Sequence, residues 1–220
     1  MKLVIFDVDG TLVDSQHFIV EAQTRAFAAH GMALPSREKM LSIVGLSLVQ
    51  AFIELTGDAE KAVTLAQAYR DAWHVMRTDP NYADALYAGA QQAVETLARR
   101  DDILLGVATG KSVKGVHHMF DEHGWHQHFV TVQTSDHHPS KPDPSMILSA
   151  LRETGVAPQD TVMIGDTGFD MEMARSAGVR RIGVTWGYHD AQRLTASGAE
   201  FLAHDYAELM ALLASGRCWN

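Results

Sequence analysis

The chain has 220 residues, 46% of them hydrophobic, and its 18 basic and 27 acidic residues give a formal net charge of −9. This length and composition suit one large domain, or a core with a small insert, that buries a sizeable apolar interior. The negative charge argues against nucleic-acid binding because it repels phosphate backbones. The single cysteine, Cys218, excludes a disulfide framework and most sulfur-ligated metal sites.

The first predicted element is a short buried strand at residues 3–6, an uninterrupted apolar run of the kind that a parallel sheet covers on both faces. The chain enters this strand without a basic segment followed by a long apolar stretch, and it contains no apolar run of about eighteen residues. We therefore expect a soluble, cytoplasmic protein without a membrane partner.

Between Asp14 and Tyr82, every predicted element is a helix. Apolar residues recur in this segment at helical spacing, and Gly31 is placed to end the first helix. The predicted helices cover residues 16–31, 36–44, 46–55 and 59–76. No convincing strand pattern interrupts them, so this segment is expected to be an all-helical insertion.

After the helical segment, apolar strands alternate with helices. This alternation predicts an α/β fold with a doubly wound parallel sheet, similar to the Rossmann fold. Right-handed crossovers bring the carboxyl ends of such strands to one edge of the sheet. The predicted helices cover residues 89–100, 112–123, 144–154 and 169–177, and the predicted strands cover 103–108, 129–132, 161–164 and 181–185.

Two aspartates one residue apart, Asp7 and Asp9, directly follow the first strand. Open α/β sheets place their ligands at the carboxyl ends of the strands, which is where these acids are expected to lie. Gly10 can turn the chain sharply and leave main-chain N–H groups facing an anion. Taken alone, this segment also fits an ordinary acidic β-turn.

Glycines and polar residues that could take part in binding or catalysis recur at the ends of the later strands. Two prolines on either side of one of these segments keep it extended until a helix begins. The residues concerned are Thr109 and Gly110 after the second strand, Lys141 beside Pro142 and Pro144, and Asp166 and Asp170 after the strand at 161–164. The crossover rule predicts that they converge with the first aspartate pair.

This ordered set resembles the haloacid dehalogenase-like superfamily of phosphotransfer enzymes, most closely its phosphoglycolate phosphatase and β-phosphoglucomutase branch. The resemblance spans nearly the whole chain and implies a helical cap, residues 15–81, inserted into an α/β core of residues 1–14 and 82–220. Ala88 departs from the proline that is usual in that branch. The matching positions are residues 7–11, Thr109, Lys141, Gly165, Asp166 and Asp170.

The resemblance implies that Asp7 is the nucleophile, forming an aspartyl-phosphate, and that Asp9 is the general acid and base. An acid at Asp9 argues for phosphate rather than carbon–halogen chemistry. Mg²⁺ prefers hard oxygen ligands, so Asp7, the main-chain carbonyl of Asp9 and Asp166 are its expected ligands, with Asp170 supporting a metal-bound water or Lys141. The expected phosphate-binding residues are Gly10, Thr109, Gly110 and Lys141.

Substrate selectivity is expected to lie in the cap, at His17, Gly45 and Ser47. The loop of residues 45–47 resembles the specificity loop of the branch but lacks the arginine of the sugar-phosphate mutases. At His17 a solvent-facing residue of the first helical turn is an equal alternative. Seven histidines between positions 117 and 138 are interpreted as surface residues, with a transition-metal site as the alternative.

The expected function is Mg²⁺-dependent hydrolysis of a small phosphomonoester resembling phosphoglycolate, which makes the protein a phosphoric monoester hydrolase. Its partner would be a small phosphorylated metabolite, and the chain would be a monomer or a homodimer. Two alternatives stay open. One is a sugar phosphomutase of the β-phosphoglucomutase type, and the other is a non-catalytic regulatory module that binds metal or phosphate.

Overall fold

The computed structural model describes residues 1–79 and 85–219. Within these residues, six parallel strands form one sheet in the order β3-β2-β1-β4-β5-β6. The strands are β1 (Lys2–Phe6), β2 (Ile103–Thr109), β3 (Phe129–Thr134), β4 (Thr161–Gly165), β5 (Arg180–Val184) and β6 (Phe201–Ala203). The strand order reverses direction beside β1, so the predicted doubly wound α/β fold is confirmed.

Helices cover both faces of the sheet and also form the inserted segment. The insertion after β1 contains α1 (Gln16–Ala29), α2 (Arg37–Leu41), α3 (Leu48–Thr56) and α4 (Ala59–Met76). The remaining helices are α5 (Ala90–Ala98), α6 (Val113–His123), α7 (Ser145–Thr154), α8 (Gly168–Ser176), α9 (Ala191–Ala196) and α10 (Tyr206–Ser215).

The central strand β1 owes its uninterrupted apolar sequence to burial on both faces. Val4 and Phe6 pack into the larger apolar cluster on one side of the sheet, and Leu3 and Ile5 pack into a second cluster on the other. All four side chains are fully buried. Consequently the residue after Phe6 emerges in the middle of the sheet edge, between β2 and β4.

The helical cap has an apolar core of its own, in which Phe27, Phe52 and Leu65 are buried together. Helix α4 begins at Asp58, whose carboxylate accepts hydrogen bonds from the N–H groups of Glu60 and Lys61, both at 3.0 Å. Such a cap satisfies donors that the first turn leaves without partners. The predicted all-helical insertion is confirmed.

The two connections between cap and core run side by side. Asp14 N–H donates to Ala85 O at 2.8 Å, and Tyr87 N–H donates to Leu12 O at 3.0 Å. These bonds hold the second connection at Ala85 and Tyr87, directly before Ala88. The predicted division of the chain stays a prediction, and its boundary at residues 81 and 82 lies outside the described residues.

Several element boundaries differ from those predicted. The helix expected at 36–44 ends at Leu41, because the chain turns before Gly45, whose φ of +100° is favoured only for glycine. The elements α9, β6 and α10 were not predicted. Strand β6 has three residues, too few for a recognisable period, whereas α10 buries Tyr206, Leu209 and Leu213 at helical spacing and offered a usable signal.

Among the described residues, no helix combines the length and the hydropathy that crossing a bilayer requires.

Candidate active site

The carboxylate of Asp7 lies at the carboxyl end of β1 and is 1% exposed. Its main-chain N–H donates to Ile164 O at 2.9 Å, which fixes the turn out of the strand beside β4. No described residue donates a hydrogen bond to either carboxylate oxygen, although Lys141 Nζ lies 3.0 Å from Oδ1. Burial raises the pKa of Asp7 to about 7, against the opposing charge of Lys141.

Lys141 connects two of the acids. Its Nζ lies 3.0 Å from Asp7 Oδ1 and donates to Asp170 Oδ1 at 2.6 Å, with all three side chains almost fully buried. Burial opposes its charge, but the carboxylates of Asp170 and Asp7 outweigh burial and hold the pKa of Lys141 above its usual range. The lysine therefore stays charged in the interior.

Asp166 and Asp170 follow β4 and are held by different donors. Asp166 accepts hydrogen bonds from Thr11 Oγ1 at 2.9 Å and from Tyr188 N–H at 2.8 Å. Burial, followed by the charges of Asp170 and Asp7, raises the pKa of Asp166 well above its usual value. Asp170 lies in the first turn of α8, where its Oδ2 accepts from Thr167 N–H at 3.0 Å in a reciprocal capping box.

The three carboxylates form a candidate cation site. One oxygen each of Asp7, Asp166 and Asp170 lies within 4.8 Å of the other two. When ionised, the three carboxylates carry two more negative charges than Lys141 can balance. Burial is the main cause of the raised pKa values of Asp7 and Asp166, and the neighbouring carboxylates raise them further. Carboxylate oxygens with incomplete hydrogen bonding are suitable ligands for Mg²⁺, so the residues fit that ion.

Gly10 permits a close approach to this site. A Cβ at Gly10, whose φ is +85°, would lie 2.2 Å from Asp166 Oδ2, so no larger residue fits there. The structure corrects one expectation: the Gly10 N–H donates to Val13 O at 2.9 Å, so the turn itself uses the donor predicted to face an anion.

Asp9 occupies a more open position than Asp7, with its side chain 16% exposed. Lys111 Nζ donates to Asp9 Oδ1 at 2.9 Å and lies 5.3 Å from the ring centroid of Trp73 in α4. No role for Lys111 was predicted from the sequence. Its position two residues after Thr109, at the end of a predicted strand, was the available signal.

Thr109 and Gly110 lie where the helical cap meets the core. The Thr109 side chain is buried, and its hydroxyl accepts from Lys111 N–H at 3.2 Å, which leaves its proton for another acceptor. A Cβ at Gly110 would lie 2.8 Å from Gly45 O and 2.7 Å from Leu46 O. The glycine therefore lets the cap loop lie directly against the end of β2.

Of the three cap residues expected to select the substrate, two line the cavity and one does not. Gly45 and Ser47 line a cavity of about 570 Å³ that also contains Asp7, Asp9 and Thr109. Ser47 N–H donates to Ser140 Oγ at 2.8 Å, which fastens the loop to the segment before Lys141. His17 is exposed and lies with its ring 5.5 Å from that of Phe18, and it is not part of the cavity wall.

The histidines between positions 117 and 138 do not form a metal cluster in the described part of the chain. His126 Nε2 lies 2.7 Å from Asp121 Oδ1, and His138 contacts Ser145 and Gln133. The grouping of potential metal-ligating side chains found in that part of the chain is the aspartate triad described above.

His189 makes a further connection between core and cap. Its Nδ1 accepts from Gly168 N–H at 2.9 Å, which leaves Nε2–H to donate to Ser42 O at 3.2 Å. Burial, followed by the charge of Arg193, lowers the pKa of His189. The neutral ring fits both contacts, because protonation of Nδ1 would remove the acceptor for Gly168.

We expect this histidine to make the protein less stable in acid. The pKa of His189 is about 6.5 in the unfolded chain and lower in the folded protein. As the pH falls through about 6.5, the unfolded chain binds a proton at this histidine while the folded protein does not. The free energy of unfolding therefore decreases as the pH is lowered through this range. Urea titrations at several pH values between about 7.5 and 5, with EDTA present, would measure the slope. His189→Gln keeps an acceptor and a donor without titrating, so its slope should be shallower; equal slopes would contradict the assignment.

Comparison with known proteins places the chain in a family. A family model described as haloacid dehalogenase-like hydrolase matches residues 4–184. A Dickeya dadantii protein named "Probable phosphatase IndB" is 32% identical over 212 residues, covering 94% of this chain and 91% of its own. A phosphoglycolate phosphatase of Chromobacterium violaceum is 32% identical over 223 residues, covering 98% of each chain.

A solved structure agrees with these sequence matches. The haloacid dehalogenase-like family hydrolase of Streptococcus pneumoniae superimposes with a TM-score of 0.83 at 26% identity, covering 97% of this chain and 98% of its own. The predicted enzyme class, a phosphoric monoester hydrolase, is confirmed by these matches. The chain belongs to the haloacid dehalogenase-like hydrolase family.

Proposed function

We propose that this protein is a Mg²⁺-dependent phosphatase that hydrolyses a phosphomonoester by way of a phosphoryl group carried on Asp7. The observation that carries the proposal is the buried Asp7 carboxylate, which lies 3.0 Å from Lys141 and accepts no hydrogen bond from the described residues. A carboxylate kept in this state has lone pairs available for attack on phosphorus. The wall of the 570 Å³ cavity includes Asp7, which supports access of a substrate.

Charge neutralisation is the first requirement of the reaction, because both the phosphate ester and Asp7 are negative. Lys141 offsets part of this charge between Asp7 and Asp170. Mg²⁺, held by Asp7, Asp166 and the main-chain carbonyl of Asp9, would supply the positive charge that shields the phosphoryl oxygens from the nucleophile. Asp170 already accepts from Lys141 and Thr167, which supports a role in positioning Lys141.

The residues support a reaction in two steps. First, an Asp7 oxygen bonds to phosphorus while the bond to the leaving oxygen breaks, and protonated Asp9 donates its proton to that oxygen. Next, ionised Asp9 takes a proton from water, whose oxygen bonds to phosphorus and releases Asp7 and inorganic phosphate. The Thr109 hydroxyl accepts from Lys111 N–H, and its own proton is available for donation to a phosphoryl oxygen. Asp9 is more exposed than Asp7, which supports its contact with the leaving oxygen in the first step and with the attacking water in the second.

The helical cap supports the proposal by covering the reacting groups. The loop at residues 45–47 lies against Gly110 and is bonded to Ser140 through Ser47. We infer that cap residues 15–81 close over the core in this way and exclude water from the aspartyl-phosphate until Asp9 activates one molecule.

Lys111 is expected to assist Asp9. Lys111→Met should lower kcat by roughly ten- to a hundredfold, because Asp9 loses the ammonium group 2.9 Å away that orients its carboxylate toward the leaving oxygen. Steady-state kinetics on any accepted monoester would measure this. Lys111→Arg should recover part of the loss, and the same change at exposed Lys61 provides a matched control. A kcat for Lys111→Met within twofold of wild type would contradict the role.

The proposed function is tested by measuring inorganic phosphate release from a panel of phosphomonoesters in the presence of Mg²⁺. The panel includes phosphoglycolate, sugar phosphates and nucleoside monophosphates, and a parallel assay follows isomerisation of β-glucose 1-phosphate with the bisphosphate activator. We expect phosphate release without isomerisation. Isomerisation without net release would instead support the sugar phosphomutase, and inactivity in both assays would support the non-catalytic regulatory module.

A further inference from the structure

The cavity above Asp7 is larger than a two-carbon phosphoester requires. Its volume of about 570 Å³ lies within the range of about 300–1,000 Å³ that is usual for small-molecule binding pockets. Cavities of this size in proteins ordinarily enclose ligands well beyond the size of phosphoglycolate. In the proposed function the phosphoryl group binds at the end near Asp7 and Asp9, which leaves the rest of the space for the leaving group.

Part of the cavity wall is aromatic and apolar, and it begins beside Asp9, since Lys111 Nζ lies 2.9 Å from Asp9 Oδ1 and 5.3 Å from the ring centroid of Trp73. Tyr69 and Trp73 in α4 lie with ring centroids 5.6 Å apart and planes 28° apart, and Phe52 meets Tyr69 edge to face at 6.1 Å. All three rings belong to the cavity wall, together with Ile19 and Leu55. Flat rings of this kind recognise planar or apolar groups by stacking and by excluding water.

Gln23 adds one polar group to this wall. It occupies a buried position of α1 between apolar neighbours and is 3% exposed. Its Nε2 donates to Met40 O at 3.3 Å, whereas its buried Oε1 accepts no hydrogen bond within residues 1–79 and 85–219. Buried acceptors are normally satisfied, because leaving one without a donor lowers stability. An N–H or O–H group on a bound ligand would supply the hydrogen bond that Gln23 Oε1 lacks.

We propose that the substrate is a phosphomonoester whose leaving group has a planar or apolar body and an N–H or O–H that donates to Gln23 Oε1. The inference rests on the proposed function, and it assigns Gln23 a part in substrate selection. Arg70 and Arg77 also line the cavity and attract esters to a chain of net charge −9. Phosphoglycolate is too small to contact the aromatic wall and to donate a hydrogen bond to Gln23 Oε1.

The wild-type enzyme gives the first test. We compare kcat/KM for 2-(indol-3-yl)ethyl phosphate and its N1-methyl derivative, for uridine 5′-monophosphate and its N3-methyl derivative, and for phosphoglycolate. At least one of the larger esters should exceed phosphoglycolate by roughly tenfold or more, and at least one methylated compound should be roughly tenfold poorer than its parent. Phosphoglycolate as the best substrate, or no donor preference in either pair, would overturn the inference.

Gln23→Met gives the second test, with Gln67→Met as the matched control, since Gln67 lies on the exposed face of α4 outside the cavity wall. The ratio of kcat/KM between parent and methylated ester should collapse toward one in Gln23→Met and persist in Gln67→Met. A purely structural role of Gln23 would lower both esters equally and leave the ratio unchanged, which would refute the assignment. If Gln23→Met does not fold, the wild-type ratios decide.

These outcomes are separable from the proposed function. Mg²⁺-dependent phosphate release from any monoester of the panel, lost in Asp7→Asn, would support the phosphatase whatever its substrate preference. Absence of release from every compound would contradict the phosphatase and the inference together.

Discussion

Asp7→Asn is expected to lower kcat by roughly 10⁴-fold or more while the fold stays intact. An amide oxygen is a poor nucleophile, so the phosphoryl group has no acceptor on the enzyme. The fold should persist because the two side chains are nearly isosteric and the amide oxygen of asparagine can stay beside Lys141 Nζ, which lies 3.0 Å from Asp7 Oδ1. Lys141 keeps its bond to Asp170 at 2.6 Å.

The measurement combines single-turnover kinetics with thermal unfolding and intact mass, the last to show that asparagine has not deamidated back to aspartate. Asp14→Asn is the matched control, since it makes the same change seven residues later at an exposed position outside the cavity wall. It should retain wild-type kcat. Turnover by folded Asp7→Asn at a near-normal rate would remove Asp7 from the nucleophile role.

The sequence could predict that four charged side chains converge, because each follows the end of a strand in a parallel sheet. These side chains are Asp7, Lys141, Asp166 and Asp170. A strand covered on both faces must be apolar throughout, as β1 is from Leu3 to Phe6, so its end is visible as the first polar residue. Parallel strands joined by right-handed crossovers then place all such ends at one edge. Lys141 Nζ accordingly lies within 3.0 Å of both Asp7 and Asp170 despite the sequence separation.

Groups that depend on the course of individual turns could not be placed in this way. The pairing of Lys111 with Asp9 spans 102 positions and depends on how the chain bends after Thr109. Likewise, the end of α2 at Leu41 depends on the turn before Gly45. Sequence periodicity describes helices and strands but not the direction in which a loop side chain points.

The cap side chains illustrate the same limit. His17 was considered as a substrate contact because it lies just after the first connection, but it is exposed in the first turn of α1 with its ring 5.5 Å from that of Phe18. Gln23 was overlooked, although a glutamine within the buried stripe of Ile19, Ala22 and Ala26 is a recognisable irregularity. If Gln23 binds substrate as proposed, a polar residue at an apolar position is a better indicator of a binding function than proximity along the chain.

Removal of divalent metal is expected to abolish turnover, and Mg²⁺ to restore it. Asp7, Asp166 and Asp170 place three buried carboxylates within 4.8 Å of one another, and Lys141 pairs with only two of them, so without a cation the phosphate dianion would approach an uncompensated negative charge. Dialysis against EDTA followed by Mg²⁺ titration measures the effect on kcat. Full turnover in metal-free buffer would contradict the requirement for a bridging cation.

The same titration has a readout that does not depend on catalysis. At Mg²⁺ about a hundredfold above its Kd, binding stabilises the folded state by about 2.7 kcal/mol, which for a chain of this size should raise Tm by roughly 5–10 °C. Asp7→Asn should lose most of this shift and Asp14→Asn should keep it. A shift of equal size in both variants would place the ion away from Asp7, and the charge of Lys141 alone would then have to bring the phosphate dianion and the nucleophile together.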